Sequence, residues 1–246
     1  MKQFKRMGGD DKLGHYTEWE RNSVNGCIYC GSRADTREHT PSKAFLTEPF
    51  PDNLPTVPAC FKCNNGFSFD EDYVACYLDV LKSTVYSGYS IKGKVDERLQ
   101  KQPTLNALIK KQIELKNGKV KFHYDESRFI KVLIKLARSH AGYEFDYVNF
   151  DYEPDIWYDF RFRMSEEQIK EFNSIAVIDK MPDLGARVYN RLCIVDDPET
   201  GKILQTFLEP VYVQEGEYRY NVYFDNEDIC VKIVIGEILY CVVRFE

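Results

Sequence analysis

Hydrophobic positions along the chain have two textures. Up to about residue 142 they recur at helical intervals, and from about residue 150 they gather into β-branched and aromatic runs. The spacing predicts a helix over Asp70–Leu81, with Tyr73, Val74, Tyr77, Leu78 and Leu81 on one face. Asp70, Glu71 and Asp72 would fill its first turn, where the helix dipole favours negative charge. Ser68, followed three residues later by Glu71, reads as a capping box. Residues 84–101 have weak periodicity. Leu105–Leu115 predicts a short helix ending near Asn117-Gly118, and Lys119–Tyr124 a strand. The strongest helix is expected over Glu126–His140, where Phe129, Ile130, Leu133, Ile134, Leu136 and Ala137 make a broad apolar face. Gly142 is its expected terminator. Further on, Ile203–Val213, Tyr218–Phe224 and Ile229–Phe245 read as strands. Pro198–Gly201 and Gln214–Glu217 would be hairpin connections.

These patterns predict an α+β chain in four parts. Residues 1–22, broken by Gly8, Gly9, Asp10 and Asp11, form a flexible segment. Residues 23–83 hold a loop-rich unit dense in Cys, Pro, Asn and Gly, with the first helix at its end. Residues 84–142 are a helical middle, and residues 143–246 an antiparallel β-rich part. The 246 residues are 43% hydrophobic and 29% charged, which suits a chain with a buried core and excludes disorder for most of its length. Mean hydropathy is −0.45, and no apolar run approaches the roughly 18 residues of a membrane span. Met1–Asp11 is polar and basic with no apolar stretch behind it, so no secretory signal is expected and a reducing, cytoplasmic setting is.

Net charge is −6, an average over segregated regions. Residues 84–138 carry 13 Lys and Arg against 5 Asp and Glu, whereas residues 139–246 carry 10 against 22. The basic middle is a candidate footprint for a polyanion, with Lys92, Lys94, Lys110, Lys111, Lys131 and Lys135 as its contacts. The same lysines could equally be the solvated faces of helices.

Eight cysteines in a reducing compartment point to metal before disulfides. Cys27 and Cys30 form one C-x-x-C knuckle and Cys60 and Cys63 a second, with 29 residues between Cys30 and Cys60. Four thiolates make a closed tetrahedral site for structural Zn2+. A redox dithiol is the competing reading. Cys76, Cys193, Cys230 and Cys241 have apolar neighbours and are expected to be small buried hydrophobes.

Between the knuckles stand Glu38-His39-Thr40-Pro41 and Asn53, and Asn64 follows the last cysteine directly. In this order, with Cys27, Cys30, Cys60 and Cys63, the segment at residues 24–82 resembles the HNH endonuclease family of the zinc-bound ββα-metal type. The resemblance implies a ββα-metal unit with His39 as the general base that activates water. It implies that Glu38 and Asn64 ligate a catalytic Mg2+ or Mn2+, that Asn53 orients the His39 imidazole, and that the four cysteines are structural. It also implies a DNA endonuclease of restriction, phage-defence or mobile-element type, with RNA left open as substrate. The sequence departs from the family pattern at two places. Glu38 stands where many members have Asp, and Phe67 where a Lys or His is common. Glu71 is either an extra ligand or the capping-box partner of Ser68. Arg37 and Lys43 are candidate phosphate contacts. His15, His123 and His140 belong to no motif, and the helix C-terminus would explain His140.

Chemistry alone favours the same residues. Phosphodiester cleavage needs a base that is neutral near pH 7 and a hard cation for the developing charge, which His and oxygen ligands supply. The expected protein is thus a metal-dependent DNA nuclease with an acidic β-rich part that recognises, regulates or forms homo-oligomers. The alternative is a non-catalytic zinc module that binds nucleic acid or protein.

Overall fold

The β-branched runs of the C-terminal part pair into two antiparallel sheets, and the run expected over Ile203–Val213 is divided between them at Glu209-Pro210. In the computed structural model, which describes residues 26–116, 118–147, 153–174, 176–178 and 186–246, the expected segment at 1–22 lies outside the described residues. The first described elements are a hairpin of β1 (Thr36–His39) and β2 (Thr56–Ala59). Helices α1 (Phe61–Gly66), α2 (Ser68–Val85), α3 (Gly93–Lys101) and α4 (Pro103–Gln112) follow. A ribbon of β3 (Ile113–Lys116) and β4 (Lys119–Phe122) leads into the long helix α5 (Glu126–Phe145). Then come β5 (Asp155–Phe160), α6 (Glu166–Phe172), β6 (Ala176–Val177), β7 (Leu192–Asp196) and β8 (Ile203–Leu208). Strands β9 (Val211–Gln214), β10 (Tyr218–Asp225), β11 (Asp228–Ile235) and β12 (Leu239–Phe245) complete the chain.

The fold is mixed α+β with antiparallel sheets. The main sheet runs β5-β12-β11-β10-β9, and β6-β8-β7 form a smaller one. Period-two alternation gives the central strands two apolar faces. Tyr220, Ile233, Cys241 and Tyr158 are in register on one face, beside Val222, Val231, Val243 and Ile156. That face packs on α2 and α5 through Tyr73, Tyr77, Phe129, Leu133 and Leu136, so one core joins the middle of the chain to its β-rich part. On the other face, Tyr223 and Cys230 meet the smaller sheet, and Val234 and Tyr240 meet α6. Covering on both sides is why β11 reads as an almost continuous apolar run. Cys76, Cys230 and Cys241 are buried as expected, and Cys193 is half-buried. Among the described residues no helix is long and apolar enough to cross a membrane.

Several element ends differ from the sequence reading. Helix α2 begins at Ser68, whose hydroxyl donates to the Asn65 carbonyl (2.8 Å) and caps nothing. Glu71 therefore has no capping box; its carboxylate turns inward to α5. Among the described residues a capping box stands at α6, between Ser165 and Gln168. Helix α4 stops at Gln112, because Ile113–Lys116 finds a partner strand in β4. Residues 93–101 are helical with only Val95 and Leu99 buried, too little burial to leave a strong pattern.

Gly142 does not terminate α5, which runs on to Phe145 and ends at Asp146 in the left-handed region (φ 53°). Its role is packing. A Cβ at position 142 would lie 1.9 Å from Cδ1 of Ile28, so glycine lets the first cysteine knuckle sit directly on α5.

Candidate metal centre and the hairpin beside it

The first knuckle is a tight turn. The Cys30 and Gly31 amides donate to the Cys27 carbonyl (3.3 and 2.8 Å), and Gly31 takes a positive φ of 70°, which favours glycine. The second knuckle is a helix start. Cys60 is the N-cap of α1, and its sulfur accepts from the Cys63 amide at 3.4 Å. All four sulfurs lie within 4.8 Å of one another, and those of Cys30 and Cys60 are 3.7 Å apart. Tetrahedral Zn–S bonds of about 2.3 Å require sulfurs about 3.8 Å apart, so the quartet fits a structural metal such as zinc.

Electrostatics agrees with a cation there. Hydrogen bonds from Ser32 lower the Cys30 thiol to about 6, while burial pushes the Cys27 and Cys63 thiols up. Four sulfurs this close cannot all ionise without a positive charge among them. The apolar cluster beneath is small, with Cys27, Ile28, Tyr29, Val57 and Ala59 as its buried members. Ligation energy is the natural supplement to so slight a core.

The hairpin follows at once. Glu38 faces Val57 and Thr36 faces Ala59, and this side is turned inward; Arg37 and His39 lie on the other side with Thr56 and Pro58. Arg37 is exposed and donates from Nε to Thr56 Oγ1 (2.7 Å). His39 is half-buried at the end of β1. Helix α1 is stitched to this strand by Asn64, whose amide nitrogen donates to Thr36 Oγ1 and to the Arg37 carbonyl, both at 3.2 Å. Asn53 stands exposed in the turn at 52–53, and its side chain makes no hydrogen bond to another described residue. Lys43 lies in the loop between the strands, with its ammonium 5.2 Å from the centre of the Phe50 ring. Phe67 packs edge-on against Tyr29 beneath the knuckle, so it is a core residue of this unit.

The inward side holds an ion triad. Lys135 of α5 is almost wholly buried, and its ammonium donates to Glu38 Oε1 (2.7 Å) and Glu71 Oε1 (2.5 Å). Burial raises the Glu71 carboxyl, although Lys135 opposes the shift. Tyr29, buried against the same group, is pushed well up by desolvation and by the two nearby carboxylates.

A polar chain continues along α5. Thr40, next to His39, donates to Ser139 Oγ (2.9 Å) and lies 3.4 Å from His140 Nδ1. His140 Nε2 is 2.8 Å from the Tyr218 hydroxyl, and its ring stacks on Tyr220 with centroids 3.8 Å apart. Tyr220 donates to Glu144 Oε1 (2.7 Å), and Arg191 is 3.4 Å from Glu144 Oε2. His140 is thus no helix-end residue. It lies fully buried within α5, where desolvation lowers it to about 3 and keeps it neutral. Sequence reasoning missed this chain and the role of Lys135. A polar stripe at 135, 139, 140 and 144 reads as a solvated face until the β-rich part covers it.

The six lysines expected on a polyanion separate into two groups. Lys92 pairs with Asp79 and Glu217, Lys131 with Asp70, and Lys135 with Glu38 and Glu71. Lys94 donates to the Lys43 carbonyl (2.5 Å). Those four are engaged within the chain. Lys110 and Lys111 are exposed. Among the described residues, His123 too is exposed, beside the ribbon and away from the hairpin.

No family model, curated protein or solved structure matches this chain.

Proposed function

We propose that this chain is a metal-dependent nuclease that hydrolyses phosphodiester bonds, with DNA as substrate and His39 as general base. The observation that carries the reading is the stitching of Asn64 to β1, which joins the Glu38-His39 strand and the helix after the last cysteine into one rigid hairpin–helix unit. With its nitrogen committed to the strand, Asn64 has its amide oxygen left to offer a cation. Glu38 offers a second hard oxygen, since Lys135 engages only Oε1. Two such donors fit Mg2+ or Mn2+ in kind. When bound, the cation would neutralise charge on the phosphate. His39, at the strand end, takes the proton from the attacking water, a task that histidine side chains commonly perform as general bases. Asn53 is the family-implied orienting residue.

The buried Lys135–Glu38–Glu71 triad favours a second reading, in which Glu38 serves structure alone and the unit is a non-catalytic zinc module. Plasmid incubated with zinc-loaded protein separates the two. Nicked or linear product that requires added Mg2+ or Mn2+ is expected. Intact plasmid across a full titration of both metals would leave the non-catalytic module.

A further inference from the structure

We infer that the β3–β4 ribbon, with the end of α4 that leads into it, is the surface on which this protein grips a nucleic-acid phosphate backbone. The choice of polyanion rests on the nuclease reading above; the surface itself rests on charge and register. On the ribbon's outer face, Glu114 is opposite Lys121 and Lys116 is directly opposite Lys119. Like charges facing each other across a strand pair cost roughly 0.2–1 kcal/mol. A ribbon of two short strands has little stability to spare for that cost. Glu114 pairs with Lys116 at 2.7 Å and also faces Lys121 across the ribbon, one carboxylate among three lysines. Lys119 and Lys121 are exposed and, among the described residues, make no ion pair. Lys110 and Lys111 are in the same state in the last turn of α4.

The helix dipole accounts for Lys110 and Lys111 by itself. It does not account for the facing lysines of the ribbon, which an anion between or along them would. Of the other candidates, Lys92, Lys131 and Lys135 have carboxylate partners within the chain and Lys94 donates to a backbone carbonyl, which leaves Lys110, Lys111, Lys119 and Lys121 as the lysines of residues 84–138 that are exposed and make no ion pair among the described residues. The base of the ribbon is rigid. Gln112 accepts from the Tyr73 hydroxyl (2.9 Å) and its carbonyl accepts from the His123 amide (3.0 Å), two residues along α2 from Glu71. A two-stranded ribbon is narrow enough for a duplex groove, and lysines serve phosphates as point charges without reading sequence.

The test is equilibrium binding of a short fluorescent DNA duplex in buffer without divalent metal, repeated over a range of salt. The proteins are the parent, Lys119→Gln/Lys121→Gln, Lys110→Gln/Lys111→Gln, and Lys101→Gln as an exposed control outside the surface. Each double variant should bind roughly tenfold more weakly near physiological salt, with a log–log salt slope shallower by about 2, one contact per lysine. The control should match the parent. The melting temperature of the ribbon variant should stay close to the parent's, because Lys119→Gln removes the repulsion opposite Lys116 while Lys121→Gln removes the attraction opposite Glu114, and Lys119→Arg/Lys121→Arg should retain binding. Parent-like affinity and slope in both double variants would overturn the inference even if the parent cuts DNA, as would a parent with no measurable affinity. Ribbon-dependent binding by a parent that cuts nothing would uphold the surface and remove the nuclease.

Discussion

Lys135 brings one positive charge to two buried carboxylates whose positions in the sequence are 97 and 64 residues away. Lys135→Met would leave Glu38 and Glu71 with no cation, and losing one partner of such a buried group costs about 3–5 kcal/mol. Urea unfolding should register that loss, and Lys135→Met/Glu71→Gln should recover part of it by removing one orphaned charge. An unchanged midpoint in Lys135→Met would mean that the triad adds nothing. His140 makes a separate claim on pH. Its folded value, about 3, lies below its ordinary 6.5, so its contribution to stability is complete above about 6.5 and drains away as pH falls through that window. The slope for one such group is at most about 1.4 kcal/mol per pH unit. Unfolding free energies of parent and His140→Gln, measured from pH 7 down to 5, should therefore converge on acidification. Parallel lines would exclude His140 as a source of acid sensitivity. The cysteine quartet was legible from sequence because each pair is a local spacing. Lys135, Ser139, His140 and Glu144 were not, since their partners lie on elements that only the fold brings near.

At the scale of elements, the interface between the first knuckle and α5 depends on a missing methyl group. Gly142→Ala gains roughly 1 kcal/mol of helix propensity. It also drives a Cβ to 1.9 Å from Ile28 Cδ1 and 2.9 Å from Cγ1, in a knuckle that has little room to move. Overpacking of this kind costs about 1–3 kcal/mol, so the net change should be destabilising. Ile28→Val deletes the clashing Cδ1 and should restore much of the loss in the double variant, as read by thermal melts of all four proteins. Additive losses would show that the two residues do not touch. Elements whose pattern is repeated, such as β10, β11 and β12, were legible along the chain. Ends were less so. Glycine stops helices more often than it packs inside them, and α4 yields Ile113–Lys116 to a strand pairing that helical periodicity does not reveal.

The whole molecule joins a hairpin, beside a cysteine quartet that could hold a structural metal, to a β-rich part through one helix. Helix α5 holds Glu38 and Thr40 on either side of His39 and reaches Tyr218 and Tyr220 on β10. The hydrophobic patterns announced an α+β chain and the cysteine spacings announced the quartet. The acidic C-terminal part gave no sign that it would close over α5 and bury its polar stripe, because that depends on sheet register and not on local pattern. The central claim is that the quartet holds structure and His39 performs chemistry, so the two functions should separate in a single variant. The most direct measurement is the rate of Mg2+-dependent plasmid cleavage by His39→Ala, taken with its zinc content and melting temperature. The account predicts about one zinc per chain and a parent-like melt, with cleavage slowed about 10²–10⁴-fold, as for loss of a general base. Parent-like cleavage, or zinc lost along with the imidazole, would contradict it.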